Sequence, residues 1–300
     1  YRIKPLPGSS HGFAVTARCM DDYNPDFLST NEILDIFPAS KTMTVDSTIK
    51  ADINANRLIF KLAKEFRIKT LEINGKSHSF QRFGYFVTAR VNAPNPVSFR
   101  VKGEITAVSD HNQFFCIDDK NFFLRSGGFA ATPCPPPDNR ARPYFSSDEA
   151  KINREIRFPS RFKFLGYGDI LKDDTTKNVS REKKRTVHLQ LTEKYSDGLS
   201  FYAQADWNVT SVRRGNVSAR FYFPARDRRE QTFLEKEIKS LLEWLNRTFK
   251  KDSDSPFTIN FVVLDKFVQS GVLNDSTSII ASRASIIGSS GQGYIHELCH

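Results

Sequence analysis

The apolar residues of this chain change their period once, near residue 224, and that change limits what the chain can fold into. Upstream the period is two. RLIFKL (57–62), VSFRVKGEI (97–105), VHLQL (187–191) and SARFYF (218–223) alternate apolar and polar residues, the mark of strands with one face buried. Val97, Phe99 and Val101 fall on one such face. KTLEINGKSHSF (69–80) reads as two strands joined by Asn74-Gly75. Asn-Gly suits a type I′ turn because both central residues need positive φ. Downstream, RDRREQTFLEKEIKSLLEWLNRTF (226–249) spaces Leu234, Ile238, Leu241, Leu242, Leu245 and Phe249 by three and four residues, which lines one side of a helix. Asp227 near its start suits the N-terminal dipole.

PFTINFVVLD (256–265) and TSIIAS (277–282) then read as strands, and GSSGQG (288–293) leads into the final segment. The expectation is a mainly β fold followed by α/β, in two domains, 1–215 and 216–300. A length of 300 residues suits two domains or one large one. The proline-rich SGGFAATPCPPPDNRARPYF (126–145) is excluded from a central strand and reads as a long loop between two β halves.

The net charge is +10, but Lys and Arg are scattered. The densest run, REKKR (181–185), reads as a solvated loop before a strand, so nucleic acid is not an expected partner. No apolar run is long enough to span a membrane. The four cysteines, at 19, 116, 134 and 299, contain no C-x-x-C, which argues against a structural zinc knuckle; a Cys116–Cys134 pairing stays open. The size of the β part and five N-x-S/T sequons lean towards the cell envelope. The chain starts at Tyr1 and stops on a motif, so a fragment open at both ends is expected.

That motif is His296-Glu297-Leu298-Cys299-His300, an H-E-x-x-H. In a chain with six histidines it arises by accident about once in a few hundred such chains. Histidines at i and i+4 lie one turn apart on one helix face, so His296 and His300 can both reach one Zn²⁺. Glu297 stands beside them, placed to act as general base towards a zinc-activated water. The competing reading is a surface helix with two idle histidines.

The order β domain, helix, strand, strand, H-E-x-x-H resembles the zinc aminopeptidases of the membrane alanyl aminopeptidase type, which are gluzincins. The likeness runs from about residue 40. IKTLEINGK looks like the family's early strand–V-N-G–strand element, and NRTFKKDSDSPFTINFVVLD looks like its helix end, loop and first catalytic-domain strand. The resemblance implies a saddle-like N-terminal β domain and the beginning of a thermolysin-like zinc peptidase domain acting on peptides. The family's G-A-M-E-N motif falls on Gly271-Val272-Leu273-Asn274-Asp275. These residues are then the implied substrate-binding stretch, with Asn274 where the family has the glutamate that binds the substrate's α-amino group. That departure puts exopeptidase specificity in doubt, and an ordinary turn at Asn274-Asp275 is the alternative. The family's third zinc ligand and its tyrosine fall past His300, so the segment alone is expected to be inactive.

Three functions remain open at this point. The first is a zinc metallopeptidase working near peptide N-termini. The second is a non-catalytic binding protein on the same scaffold. The third, a β-rich adhesion or carbohydrate-binding module, is disfavoured by the helix at 226–249.

Overall fold

A computed structural model describes residues 26–53, 56–62, 65–84, 86–92, 95–106, 115–125, 132–133, 150–166, 169–176, 183–193, 199–249, 257–264, 271–272 and 278–282. The large sheet takes eight strands. They are β1 (Asp26–Phe37), β2 (Thr42–Asp52), β4 (Phe66–Ile73), β5 (Lys76–Ser77), β8 (Val97–Thr106), β12 (Ala150–Pro159), β14 (Asp169–Thr176) and β15 (Lys184–Glu193). Their order is β14-β15-β12-β1-β2-β8-β4-β5. All neighbours are antiparallel except β1 and β12, which run parallel.

One face of this sheet is apolar and carries the main core. Leu34, Val45, Val101, Ile156 and Val187 are buried there. The other face is polar and laced with ion pairs, including Arg100–Asp46 at 2.6 Å and Lys184–Asp35 at 2.6 Å. The alternation at 97–101 is realised: Val97, Phe99 and Val101 are buried and the residues between them are not. Asn74 and Gly75 both have positive φ, 49° and 75°, as a type I′ hairpin requires.

Two four-stranded sheets cover the apolar face. One contains β3 (Arg57–Lys61), β6 (Gln81–Phe83), β7 (Phe86–Arg90) and β11 (Thr132–Pro133), in the order β11-β3-β7-β6. The other contains β9 (Phe115–Ile117), β10 (Asn121–Arg125), β13 (Lys163–Gly166) and β16 (Leu199–Gln204), in the order β13-β16-β10-β9. Phenylalanine fills the space beneath the second. Phe122 lies within 6.1 Å, ring centre to ring centre, of Phe158, Phe162 and Phe201, and Phe164 stacks on Phe158 at 5.2 Å.

Two sequence expectations change here. The proline-rich stretch contributes a two-residue edge strand, β11, at Thr132 and Pro133, and an edge is where a proline is tolerated in a sheet; 126–131 and 134–145 lie outside the described residues. In REKKR, Lys184 and Arg185 belong to β15 and not to a loop. Their charges are met across the sheet by Asp35 and Asp173, both at 2.6 Å. Cys116 is buried, with its thiol 3.5 Å from Asn121 Oδ1; Cys134, the other half of the pairing left open, lies outside the described residues.

The fourth sheet is built from β17 (Trp207–Arg214), β18 (Val217–Pro224), β19 (Phe257–Leu264), β20 (Gly271–Val272) and β21 (Ser278–Ser282), in the order β17-β18-β19-β21-β20. Strands β18, β19 and β21 run parallel. The helix α1 (Arg228–Phe249) crosses over from β18 to β19, preceded by a 3-10 turn over Ala225–Asp227. Leu234, Ile238 and Leu242 of α1 pack on Val217, Ala219, Phe221, Phe223, Ile259, Phe261 and Val263. Residue 215, the expected end of the first domain, is the turn glycine of the β17–β18 hairpin, with φ 59°. Both strands of that hairpin lie in the fourth sheet.

Candidate functional site

The parallel strands β18, β19 and β21 end at Pro224, Leu264 and Ser282, on one side of the fourth sheet. Crevices beyond the carboxyl ends of parallel strands are where open α/β sheets bind ligands. In this chain that side abuts the β domain. Trp207 is set opposite Pro224 by the β17–β18 register. With Tyr222, Val262 and Leu264 it forms one cluster with Cys116, Phe123 and Tyr202 of the β9–β10–β16 sheet. The even-numbered residues of β18 and β19 near their carboxyl ends thus face the β domain, and the odd-numbered residues face α1.

Polar contacts order each side of the junction, and the one from Lys163 to Trp207 crosses it. The Trp207 indole Nε1 donates to the Val263 carbonyl at 2.9 Å, and its ring stands edge-on to Tyr222 at 5.2 Å. The Lys163 ammonium donates to the Trp207 carbonyl. Gln204 Nε2 donates to Asp206 Oδ1 at 2.6 Å, and the Ala225 N–H donates to the Asp206 carbonyl at 2.8 Å. Asp118 Oδ1 accepts from the N–H groups of Lys120 and Asn121, both at 2.8 Å, which closes the β9–β10 turn. Sequence reasoning did not single out Trp207. Its only signal was its place at the start of the alternating WNVTSVRR.

A polar chain fixes α1 to the hairpin. Asn208 Nδ2 donates to Gln231 Oε1 at 2.8 Å, Gln231 Nε2 donates to Thr210 Oγ1 at 2.7 Å, and Thr210 contacts Glu235. These bonds orient the crossover helix, and with it the strand that follows.

Of the predicted substrate-binding stretch, Gly271 and Val272 are described. They form β20, the outermost strand of the fourth sheet, antiparallel to β21, with Gly271 opposite Ile280 and Val272 opposite Ile279. An edge strand keeps one row of backbone N–H and C=O groups unpaired within its sheet, which can pair with an extended peptide. Leu273, Asn274 and Asp275 lie outside the described residues, as do His296, Glu297 and His300. Among the described residues no three His, Cys, Asp or Glu side chains are grouped to hold a metal ion, so His296 and His300 carry the metal expectation alone.

No family model matches the sequence, and no curated protein does. Solved structures match the fold. An M1 zinc metallopeptidase from Deinococcus radiodurans has a TM-score of 0.58 and 14% identity, over 92% of this chain and 63% of that one. A glutamate-to-alanine variant of the Deinococcus enzyme, bound to a Tyr-Ser-Ala substrate, gives 0.56 and 13% over the same shares. A two-domain M1 zinc metallopeptidase variant bound to L-arginine gives 0.58 and 14%, over 92% of this chain and 64% of that one. This chain therefore has the fold of those enzymes over less than two thirds of their length, mainly β and followed by α/β.

Proposed function

We propose that this chain belongs to a zinc-dependent metallopeptidase, aminopeptidase-like, that cleaves peptide bonds near the N-terminus of peptides. The observation that carries the reading is the fourth sheet. It places the two-residue edge strand Gly271–Val272 beside β21, in the last sheet before an H-E-x-x-H. The fold likeness to zinc metallopeptidases supports it.

His296 and His300 would hold the metal through neutral imidazoles, a donor pair that suits Zn²⁺, with a third protein ligand required to complete the site. Zn²⁺ supplies a Lewis acid that activates water. Glu297 takes the proton from the attacking water and delivers it to the leaving amine. The β20 edge aligns the peptide backbone by strand addition.

A second reading keeps the scaffold without catalysis, as a binding platform, and is favoured by Asn274 where a carboxylate is expected. Metal content and turnover of the complete protein separate the two. On the peptidase reading, the protein binds one Zn²⁺, His296→Ala loses it, and Glu297→Gln keeps it while losing most turnover. A complete protein that retains no zinc and cleaves no aminoacyl anilide or peptide would rule the peptidase reading out.

A further inference from the structure

The core beneath the eight-stranded sheet contains one rung that is not apolar. Glu32 on β1 lies in register with Arg154 on β12 and with Ser47 on β2. All three side chains are on the buried face, with residue exposures of 2%, 5% and 3%. Leu189 and Val101 continue the rung on either side. The neighbouring rung is Val45, Leu34, Ile156 and Val187. None of those apolar side chains can hydrogen-bond.

Arg154 Nε donates to Glu32 Oε2 at 2.6 Å. That single bond uses half of each group. Glu32 Oε1, Arg154 Nη1 and Ser47 Oγ are buried and have no hydrogen-bond partner among the described residues. A buried acceptor, a charged donor and a hydroxyl left unsatisfied in an apolar layer are each costly. Here the three stand on adjacent strands at one level.

We propose that this rung is a binding site for ordered water within the core, held by Glu32 Oε1, Arg154 Nη1 and Ser47 Oγ. The chemistry selects water over an ion. Glu32 and Arg154 already cancel each other's charge, so an ion of either sign would add a net charge to a low-dielectric layer. Water is neutral and can accept from the guanidinium while donating to the carboxylate. Three polar partners are about what a buried water takes. Ser47 Oγ makes no direct bond to the carboxylate across the register, and a water can bridge two such groups. The site lies in the β domain, away from the fourth sheet, and its role is to complete the ion pair that joins the parallel strands β1 and β12.

The test combines a crystal structure at a resolution that shows ordered water with urea unfolding of Ser47→Ala. If the hydroxyl holds water, Ser47→Ala strands that water and lowers the unfolding midpoint. If the hydroxyl is merely unsatisfied, its removal relieves a buried polar group, and the midpoint stays or rises. The expected result is a density peak within hydrogen-bond distance of Glu32 Oε1 and of at least one other of the three atoms, together with a lower midpoint for Ser47→Ala. The absence of such a peak overturns the proposal, and so does a midpoint that is unchanged or higher.

Discussion

Trp207→Phe tests whether the junction between the β domain and the fourth sheet is held as the structure implies. Trp207 is 1% exposed. Losing its indole N–H removes the donor to the buried Val263 carbonyl, at a cost of about 1–3 kcal/mol. The smaller ring leaves a void of roughly 40 Å³ against Tyr222, which at about 24 cal/mol per Å³ adds roughly 1 kcal/mol. The expected loss is therefore about 2–4 kcal/mol. Trp244, the other of the chain's two tryptophans, is 57% exposed on α1, and Trp244→Phe should stay within about 0.5 kcal/mol. Urea unfolding followed by circular dichroism measures both. In Trp244→Phe, Trp207 is the sole tryptophan, so its fluorescence reports the junction and should redden when the sheets part. If Trp207→Phe costs no more than Trp244→Phe, the indole hydrogen bond and the packing against Tyr222 do not fix Trp207 in the fourth sheet for its contact with Phe123 and Tyr202, and the reasoning fails.

Gly103→Ala should destabilise by about 1–3 kcal/mol or more, because a Cβ there would lie 2.3 Å from the Arg67 carbonyl and 2.4 Å from the Phe66 ring. Phe66→Leu in the same chain should recover only part of the loss, since the backbone carbonyl cannot move aside, and thermal unfolding of both variants checks this. Burial raises the Asp46 carboxyl, but Arg100 and Lys102 outweigh it and hold it below its ordinary 3.8; Arg185 holds Asp173 low as well. Folded values below unfolded ones give stability that is complete above the unfolded value and is lost as pH falls through the folded one. Urea midpoints should therefore drop below about pH 4, and Asp46→Asn should flatten that drop. On the peptidase reading, Asn274 offers an ammonium only a neutral oxygen, so either Asp275 serves the site or dependence on a free N-terminus is relaxed. If N-acetylation of an aminoacyl anilide abolishes cleavage while Asp275→Asn leaves activity untouched, that account of 271–275 is wrong.

The sequence was readable where local chemistry and burial agree. Asn74-Gly75 announced its hairpin because no tertiary contact is needed for positive φ. The α1 stripe was visible because one face packs on one sheet, and its first two expected residues, Arg226 and Asp227, became part of a 3-10 turn. The long strands β1 and β2 were not foreseen. Their buried face carries Glu32 and Ser47, so apolar alternation breaks where the polar rung enters the core. Strand β14 hid for a different reason: its register shifts between Ile170 and Lys172, which leaves Ile170 and Leu171 adjacent and both exposed. Lys184 and Arg185 looked like loop residues because their partners, Asp35 and Asp173, lie on other strands. The period change near 224 marks where helix replaces strand, but the hairpin before it pairs with β19, and no local pattern could show that pairing.

The same distinction governs the candidate site. H-E-x-x-H is local, since two ligands and a base one helical turn apart are written in five residues. What the sequence could not write is the packing that fixes the strands preceding it. The two-sided burial of β18 and β19 supplies it. Near their amino ends these strands are covered on the α1 face, and towards Tyr222, Val262 and Leu264 they are covered on both. Both-face burial fixes the carboxyl ends of the parallel strands against the β domain. Ser282 ends its strand in register with Leu264, beside that fixed edge. A catalytic constellation needs such a support, because small displacements of its groups are costly in rate. On the peptidase reading the β domain's contribution is mechanical: Lys163, Phe123 and Tyr202 hold Trp207 and the carboxyl ends of β18 and β19, and substitutions there should alter turnover without touching a metal ligand.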